Sequence, residues 1–332
     1  MAKTTQTPQG NVIQRSAIRL DHYQQRHHLP AFLYALIKKY GDDDAGHQAA
    51  LITYYGFLSL FPMLLVGTTA IDIVAQHNGA LRTRLITDMN SYFPIVGHQL
   101  QSSVHAGGKT GLALVIGLLF ALYGARGIAD AVRGALDHAW AVPRVKRSGF
   151  PKGLIRSLGL LLGAGLGLLL TTGLSSYALA AFGHSWALRT VPIIVNGVLL
   201  YLIFMYVFLI GTSSRHKRKD VRLGAITTAL GLLLLQAIGG YLITHQLQNL
   251  RGLYGQFALV LAILFWIYLQ AQVLMYAIEL NVVHTYQLWP RSLTGKPLTA
   301  ADETALRMYA EKEARTPQPP EKIQVSFHND HF

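Results

Sequence analysis

The sequence predicts an all-α integral membrane bundle of six transmembrane helices, with both termini in the cytoplasm. Three observations predict it. Only 14% of the 332 residues are charged, against 51% hydrophobic, whereas a soluble domain carries about 25% charged residues. The apolar residues are clumped into runs of membrane-spanning length rather than spread with the periodicity of a soluble core. Lys and Arg gather on one side of those runs, which sets orientation.

Taken in order, residues 1–29 are polar and are expected to form a disordered cytoplasmic arm. They lack the apolar core of a cleaved signal peptide. Pro30 to Tyr40 reads as a short interfacial helix on the inner leaflet. Phe32, Leu33, Leu36 and Ile37 form its apolar side, and Lys38 and Lys39 are expected to snorkel to lipid headgroups. A plain linker is the alternative.

The membrane domain is expected over 30–290. Span 1 covers about 48–71 and holds Tyr54, Tyr55 and Ser59 in its inner half. Pro62 deprives the Leu58 carbonyl of its partner, which predicts a kink. Residues 76–109 read as an external loop with an amphipathic middle (Leu81, Leu85, Ile86, Met89). Span 2, about 110–129, reaches Arg126 after only about 24 Å of uncharged helix, short of the hydrocarbon thickness of about 30 Å. Arg126, Asp130, Arg133 and Asp137 then follow on one helical face.

Span 3, about 157–182, carries Gly159, Gly163 and Gly167 at every fourth position. This stripe lets another helix approach closely, within the bundle or between subunits of a homo-oligomer. Span 4 is about 191–211. Span 5 is about 223–245 and includes the amide Gln236. Span 6, about 254–285, is uncharged from Phe257 to Ile278, a length of about 33 Å, and then presents Glu279 and Asn281. A carboxylate there is costly unless paired, protonated or wetted. Residues 291–332 are polar and are expected to be a disordered cytoplasmic tail.

Orientation follows from the 29 Lys and Arg. Only Arg82, Arg84, Lys109, Arg189 and Arg251 fall in outer loops, and Arg126 lies in a span. The rest lie on the inner side, which accounts for the net charge of +13 as a topology signal. The run Arg215 to Lys219 therefore reads as headgroup contact rather than a nucleic-acid patch. No cysteine is present, so there is no disulfide framework and no thiol nucleophile.

Four pieces of sequence carry a family resemblance. His47 to Pro62 reads HQAALITYYGFLSLFP. Leu122 to Trp140 contains Arg126-Gly127-Ile128 and ends Asp137-His138-Ala139-Trp140. Tyr254-Gly255 precedes span 6. Trp266-Ile267-Tyr268 leads to Glu279-Leu280-Asn281. In this order the chain resembles the YihY/BrkB family of bacterial inner-membrane proteins over roughly residues 30–290. Ala258 and Ala277 depart from it, standing where the family carries glycine. The resemblance implies a six-helix inner-membrane protein. Members have been linked to virulence or serum resistance, to envelope and lipid export, and to general permease labels. Many also carried the name ribonuclease BN, widely regarded as a misassignment.

A metal-dependent nuclease needs several imidazoles and a carboxylate converging on metal. The nearest run is His328-Asn329-Asp330-His331 in the tail, which lacks a packed shell. No phosphate-binding Gly-Lys-Ser/Thr loop occurs, so no ATPase of its own is expected. The expectation is a non-enzyme without metal or cofactor. It transports or exports a lipid or envelope component, with membrane lipids, above all anionic headgroups at the cytoplasmic face, as partners and no nucleic acid. A non-transporting envelope scaffold is the alternative, and a membrane-bound ribonuclease is disfavoured.

The candidate site is a polar cavity at the inner ends of spans 1, 2 and 6, formed by Tyr54, Tyr55, Ser59, Arg126, Asp130, Gln272, Glu279 and Asn281. Tyr268, Gln272, Tyr276 and Glu279 share one face of span 6. In this reading Arg126 pairs with Glu279 in a solvated pocket that binds an anionic headgroup or relays a proton. The competing reading is a structural ion pair that fixes helix register, with the tyrosines as interfacial anchors.

Overall fold

The computed structural model describes residues 12–74, 79, 111–182, 190–245, 247–295, 297–315 and 325–326. Its described helices are α1 (Val12–Arg26), α2 (His28–Asp42), α3 (Ala45–Val74), α4 (Gly111–Ala139), α5 (Lys152–Phe182), α6 (Thr190–Gly211), α7 (Arg218–His245), α8 (Leu247–Tyr286) and α9 (Ala300–Lys312). Among the described residues there is no strand.

The six long helices α3 to α8 fall on the six apolar runs. Each packs on two neighbours: α4 on α3, α3 on α8, α8 on α7, α7 on α6, α6 on α5, and α5 back on α4. The ring is closed. At one end, here called proximal, it is tied together by charged and polar side chains and covered by α2 and α9. The dense core lies in that half. It is built from Val132, Ala135 and Leu136 of α4, Val207 and Phe208 of α6, Val221 and Ala225 of α7, and Ala277, Ile278 and Val282 of α8.

The outer surface of the ring is apolar. Leu162, Leu166 and Leu170 on α5, Leu202 on α6, Leu230 and Leu234 on α7, and Phe257 and Phe265 on α8 all stand exposed. A surface of this kind needs apolar surroundings. Among the described residues, three stretches are long and apolar enough to cross a membrane: Thr190–Gly211, Arg218–Gly239 and Val260–Tyr286.

Small residues set two of the helix contacts. A Cβ on Gly163 would overlap the Tyr206 ring, and one on Gly167 would overlap Ile203, so α5 and α6 meet at van der Waals distance there. The Tyr206 hydroxyl donates to the Gly159 carbonyl at 2.6 Å. Between α7 and α8, the Gly224 amide donates to Asn281 Oδ1 at 2.6 Å.

Two expectations are corrected. The N-terminal arm contains α1, and the tail contains α9, where disorder was expected. Thr299 and Asp302 form a reciprocal capping box that starts α9. Asp21 of α1 accepts from the Leu293 amide at 3.0 Å, and Gln24 donates to the Arg291 carbonyl at 2.6 Å. The polar composition of these segments thus serves specific hydrogen bonds rather than solvation. The second correction concerns α2. Leu29, Leu33 and Ile37 form its exposed stripe. Lys39, however, points the other way with Ala31 and Ala35 and is fully buried, so it does not snorkel. The external loop 76–109, apart from Gly79, lies outside the described residues, as does the run 328–331. α3 is helical on both sides of Pro62.

Gly224→Ala would drive a Cβ into the Ala277 carbonyl oxygen and the Asn281 side-chain amide. It is expected to destabilise the bundle by about 1–3 kcal/mol, read as a lower midpoint of thermal unfolding in detergent. Gly159→Ala meets nothing within 4 Å and is expected to leave the midpoint unchanged or raise it slightly.

Candidate functional site

The site is built from the proximal end of α8 outward. Glu279 ends the uncharged face of that helix, and its side chain is 0% exposed. A carboxylate so placed needs a cation, and α2 supplies one. Lys39 Nζ donates to Glu279 Oε2 at 3.0 Å. It also donates to the Ala139 carbonyl, which ends α4, at 3.1 Å, and bonds Asp43 in the turn between α2 and α3. All three of its protons are therefore used, in a side chain that is itself 0% exposed.

Asp43 continues the cluster. Its Oδ1 lies 3.3 Å from Lys312 Nζ of α9 and 3.8 Å from His138 Nε2 of α4. Lys312 Nζ and His138 Nε2 are 3.1 Å apart, so the neutral imidazole accepts from the ammonium. The Tyr309 ring of α9 lies beneath both lysines, 5.7 Å from Lys39 Nζ and 5.2 Å from Lys312 Nζ. Burial works against the charge on Lys39, but the Glu279 and Asp43 carboxylates outweigh it and hold the ammonium's pKa above the usual lysine range. Burial, together with the positive charge of Lys312, holds the His138 imidazole below its ordinary value despite the opposing pull of Asp43.

A second network locks α9 and the segment before it. Asp302 accepts from the Ser292 amide at 2.8 Å, Arg291 Nε at 2.6 Å and Lys38 Nζ at 3.0 Å. Burial opposes its charge, but these donors and Thr299 hold its carboxyl well below the usual aspartate range. Lys38, like Lys39, is turned into the protein.

The last turns of α4 anchor the neighbouring helices. Arg133 donates to the Gly153 carbonyl and to Ser157 Oγ of α5, both at 2.8 Å. Asp137 accepts from the Ser213 amide at 2.6 Å and its hydroxyl at 2.7 Å, just beyond α6. Trp140 stacks on His216 with ring centroids 3.8 Å apart.

The eight residues expected to line one cavity fall into separate surroundings. Glu279 lies in the lysine cluster. The pairing of Glu279 with Arg126 is not found: Arg126 bonds Asp130 at 3.4 Å, and its side chain is 53% exposed. Asp130 also accepts from Ser157. Asn281 is buried against Gly224 on the far side of α8, about 200° from Glu279 at 100° per residue. Gln272 accepts from Tyr40, whose ring stacks on Tyr276 at 4.2 Å. Tyr55 packs against Gly127, and Ser59 against Gly124. Tyr54 is exposed, edge-on to Tyr55 at 5.2 Å. Glu279 is fully buried. A small cavity of about 140 Å³, lined by Gln25, Arg26, His28, Ala31, Trp289 and Pro290, lies at the junction of α1 and α2 instead.

Sequence reasoning missed Lys39, Asp43, His138 and Lys312. The signal was there for one of them. Ala31, Ala35 and Lys39 recur at i+4 opposite Leu29, Leu33 and Ile37, which marks a small-residue face for burial and puts Lys39 on it. Among the described residues, no group of three or more His, Asp or Glu could hold a metal ion.

A family model described as "Virulence factor BrkB" matches residues 36–301. That interval includes Lys39, Asp43, Arg126, His138 and Glu279. Relatives described as "UPF0761 membrane protein" occur in Alcanivorax borkumensis, 24% identical over 264 residues and covering 76% of this chain and 60% of the relative, and in Chromohalobacter salexigens, 24% identical over 255 residues, with 74% and 61% covered. A third, from Pseudomonas paraeruginosa, is 24% identical over 275 residues, with 79% and 65% covered. The chain thus spans about three fifths of the length of these relatives. No solved structure gives a significant match.

Two outcomes are expected from this cluster. Lys39→Met strands the buried Glu279 carboxylate and leaves Asp43 to Lys312, and is expected to cost about 3–5 kcal/mol, seen as a large drop in the unfolding midpoint. Adding Glu279→Gln should recover a substantial part of it. Asp302 has a depressed folded pKa, so its stabilising contribution is complete above the unfolded aspartate value of about 3.9 and is lost as the pH falls below it. Asp302→Asn is expected to flatten the acid limb of the stability profile and leave the rest of its shape unchanged.

Proposed function

Because the chain belongs to the virulence factor BrkB family, and its relatives are named membrane proteins, we propose that it is a multi-pass protein of the bacterial inner membrane that binds and moves an anionic lipid or envelope component. In this reading α3 to α8 carry the six spans, and the last turns of α4, from Asp130 to Ala139, extend beyond the membrane. The proximal end, with its excess of Lys and Arg, faces the cytoplasm together with both termini. The exposed stripe of α2 rests on the inner leaflet.

One observation carries the reading. Arg126 stands half exposed on α4, one to two turns beyond the exposed side chains Leu119, Leu122 and Tyr123 on the same face. A guanidinium at the edge of an apolar lipid-facing surface suits the phosphate of a headgroup whose chains lie along those residues. Asp130 holds it at 3.4 Å, a loose pair at a partly exposed site, which an incoming phosphate can displace. Without an ATP-binding loop, the energy for movement comes from elsewhere.

A non-transporting scaffold is the second reading. The clamping of α1, α2 and α9 onto the bundle favours it, since that end is built to stay in place.

Native mass spectrometry of purified protein loaded with phosphatidylglycerol or phosphatidylcholine separates the two. Selective retention of phosphatidylglycerol is expected, weakened about fivefold by Arg126→Ala, the size of one headgroup contact of about 1 kcal/mol. Asp130→Asn, which frees the guanidinium, is expected to strengthen it. Equal retention of both lipids by wild type and Arg126→Ala would favour the scaffold.

A further inference from the structure

We propose that Glu279 is a proton-binding site loaded from the proximal face through His138, Lys312, Asp43 and Lys39. This goes beyond the lipid reading and does not rest on it.

Three observations carry the inference. First, the groups form an unbroken chain. His138 Nε2 to Lys312 Nζ is 3.1 Å, Lys312 Nζ to Asp43 Oδ1 is 3.3 Å, Asp43 bonds Lys39, and Lys39 Nζ to Glu279 Oε2 is 3.0 Å. Every link is within hydrogen-bond reach. Second, side-chain exposure falls along it, from 28% at His138 through 9% at Lys312 and 1% at Asp43 to none at Lys39 and Glu279. One end meets water and the other is sealed inside the helical ring. Third, Glu279 Oε1 is buried and makes no hydrogen bond among the described residues. A pair kept only to fix register is expected to satisfy both carboxylate oxygens, because an unmet buried acceptor costs about 1–3 kcal/mol. A carboxylate that must also become a neutral acid is better left with one oxygen free.

The charged and titratable groups around Glu279 come from α2, the turn after it, α4 and α9. α2 contributes Lys39, with Tyr40 bonded to Gln272. The turn after α2 contributes Asp43. α4 contributes His138 and the Ala139 carbonyl, and α9 contributes Lys312 and Tyr309. α7 meets α8 on its other side, at Gly224 and Asn281. Two carboxylates and two ammonium groups balance, and the imidazole is the neutral group at which a proton enters.

The transfer conserves atoms. A proton from hydronium binds His138 Nε2, displacing the hydrogen bond that this nitrogen accepts from Lys312. The imidazolium returns it as Lys312 passes one of its own N–H protons to Asp43. Asp43 gives that proton to Lys39 as Lys39 releases one to Glu279 Oε2. One O–H bond forms on Glu279, one O–H bond of hydronium is broken to leave water, and every intermediate group ends as it began. Loading removes the charge that holds Lys39 to α8, so protonation loosens the contact between α2 and α8.

Infrared difference spectroscopy across the pH range in which the fold persists, on protein in nanodiscs, tests this. A protonated-carboxyl C=O band is expected to rise and fall reversibly and to be missing in Glu279→Gln, with folding of that variant checked by gel filtration and circular dichroism. After a pH jump, the band is expected to appear roughly tenfold more slowly or worse in His138→Phe and Lys312→Met, since each removes a transfer group. Should Glu279→Gln fail to fold, 13C-glutamate labelling of the wild type assigns the band to a glutamate, and loss of that isotope shift in Glu279→Asp assigns it to this one. Absence of any titrating glutamic-acid band, or a band retained in folded Glu279→Gln, would overturn the proposal. So would unchanged rates in both relay variants. Phosphatidylglycerol binding, measured separately, reports on the lipid reading whichever way this falls.

Discussion

The contact between Lys39 and Glu279 is the constraint from which the proximal half of the molecule follows. Each group alone would be prohibitive at zero exposure, because removing an ion from water costs several kcal/mol even after relaxation. Together they are tolerable, and the ammonium is settled only when each of its protons has an acceptor. Lys39 therefore also needs Asp43 and the carbonyl at the end of α4. That requirement fixes three things at once: the depth of α2 beside α8, the tight turn into α3, and the height at which α4 stops. Asp43 in turn carries negative charge inside the protein, and α9 answers it with Lys312. The C-terminal helix is thus held where it is by a charge on α8, relayed through two intermediates.

The rest of the ring is held by different physics. Away from the proximal end, helices are surrounded by apolar side chains, and hydrophobic burial does not distinguish a neighbour helix from lipid. Close approach is what remains. Gly163 and Gly167 let α6 side chains settle against the α5 backbone, and Gly224 lets Asn281 reach a backbone amide. The polar anchors and the small-residue contacts therefore have different roles. Charges set register at one end, and van der Waals fit carries the contact along the length of the helices.

This division explains what could be read from the residues alone. The six long helices were legible because each is a run of apolar side chains bounded by charge, and such runs have no other stable home. Glu279 was legible as a buried acid for the same reason. Its partner was not. Arg126 draws the expectation because it is the one basic residue inside an apolar run, whereas Lys39 sits in a short helix whose end looks basic and solvated. The distinction lies in helical phase: Lys39 follows Ala31 and Ala35, not Leu33 and Ile37. Composition misleads at the terminal helices. α9 is polar overall, yet Thr299 and Asp302 spell a capping box, and that local signal outweighs average hydropathy. The place of Asp21 against residues 291–294 depends on a fold-level encounter that no local pattern encodes.

A charged cluster that served rigidity alone would be an inefficient choice, since well-packed apolar residues of similar volume often stabilise a core equally or better. What ions add is dependence on protonation and on register. Here both matter at the same point. The cluster ties the segment that enters the helical ring, α2, to the segment that leaves it, α8 and α9, and its outermost member is an imidazole in partial contact with water. A change of one proton at the buried end alters the attraction between the two segments without disturbing the apolar contacts of the ring. The half-exposed Arg126 lies outside this circuit, paired with Asp130, an acid that Arg133 and Ser157 share. On the two proposals, lipid capture and proton uptake would occur at separate places on one helix, α4, whose body carries Arg126 and whose end closes over Glu279.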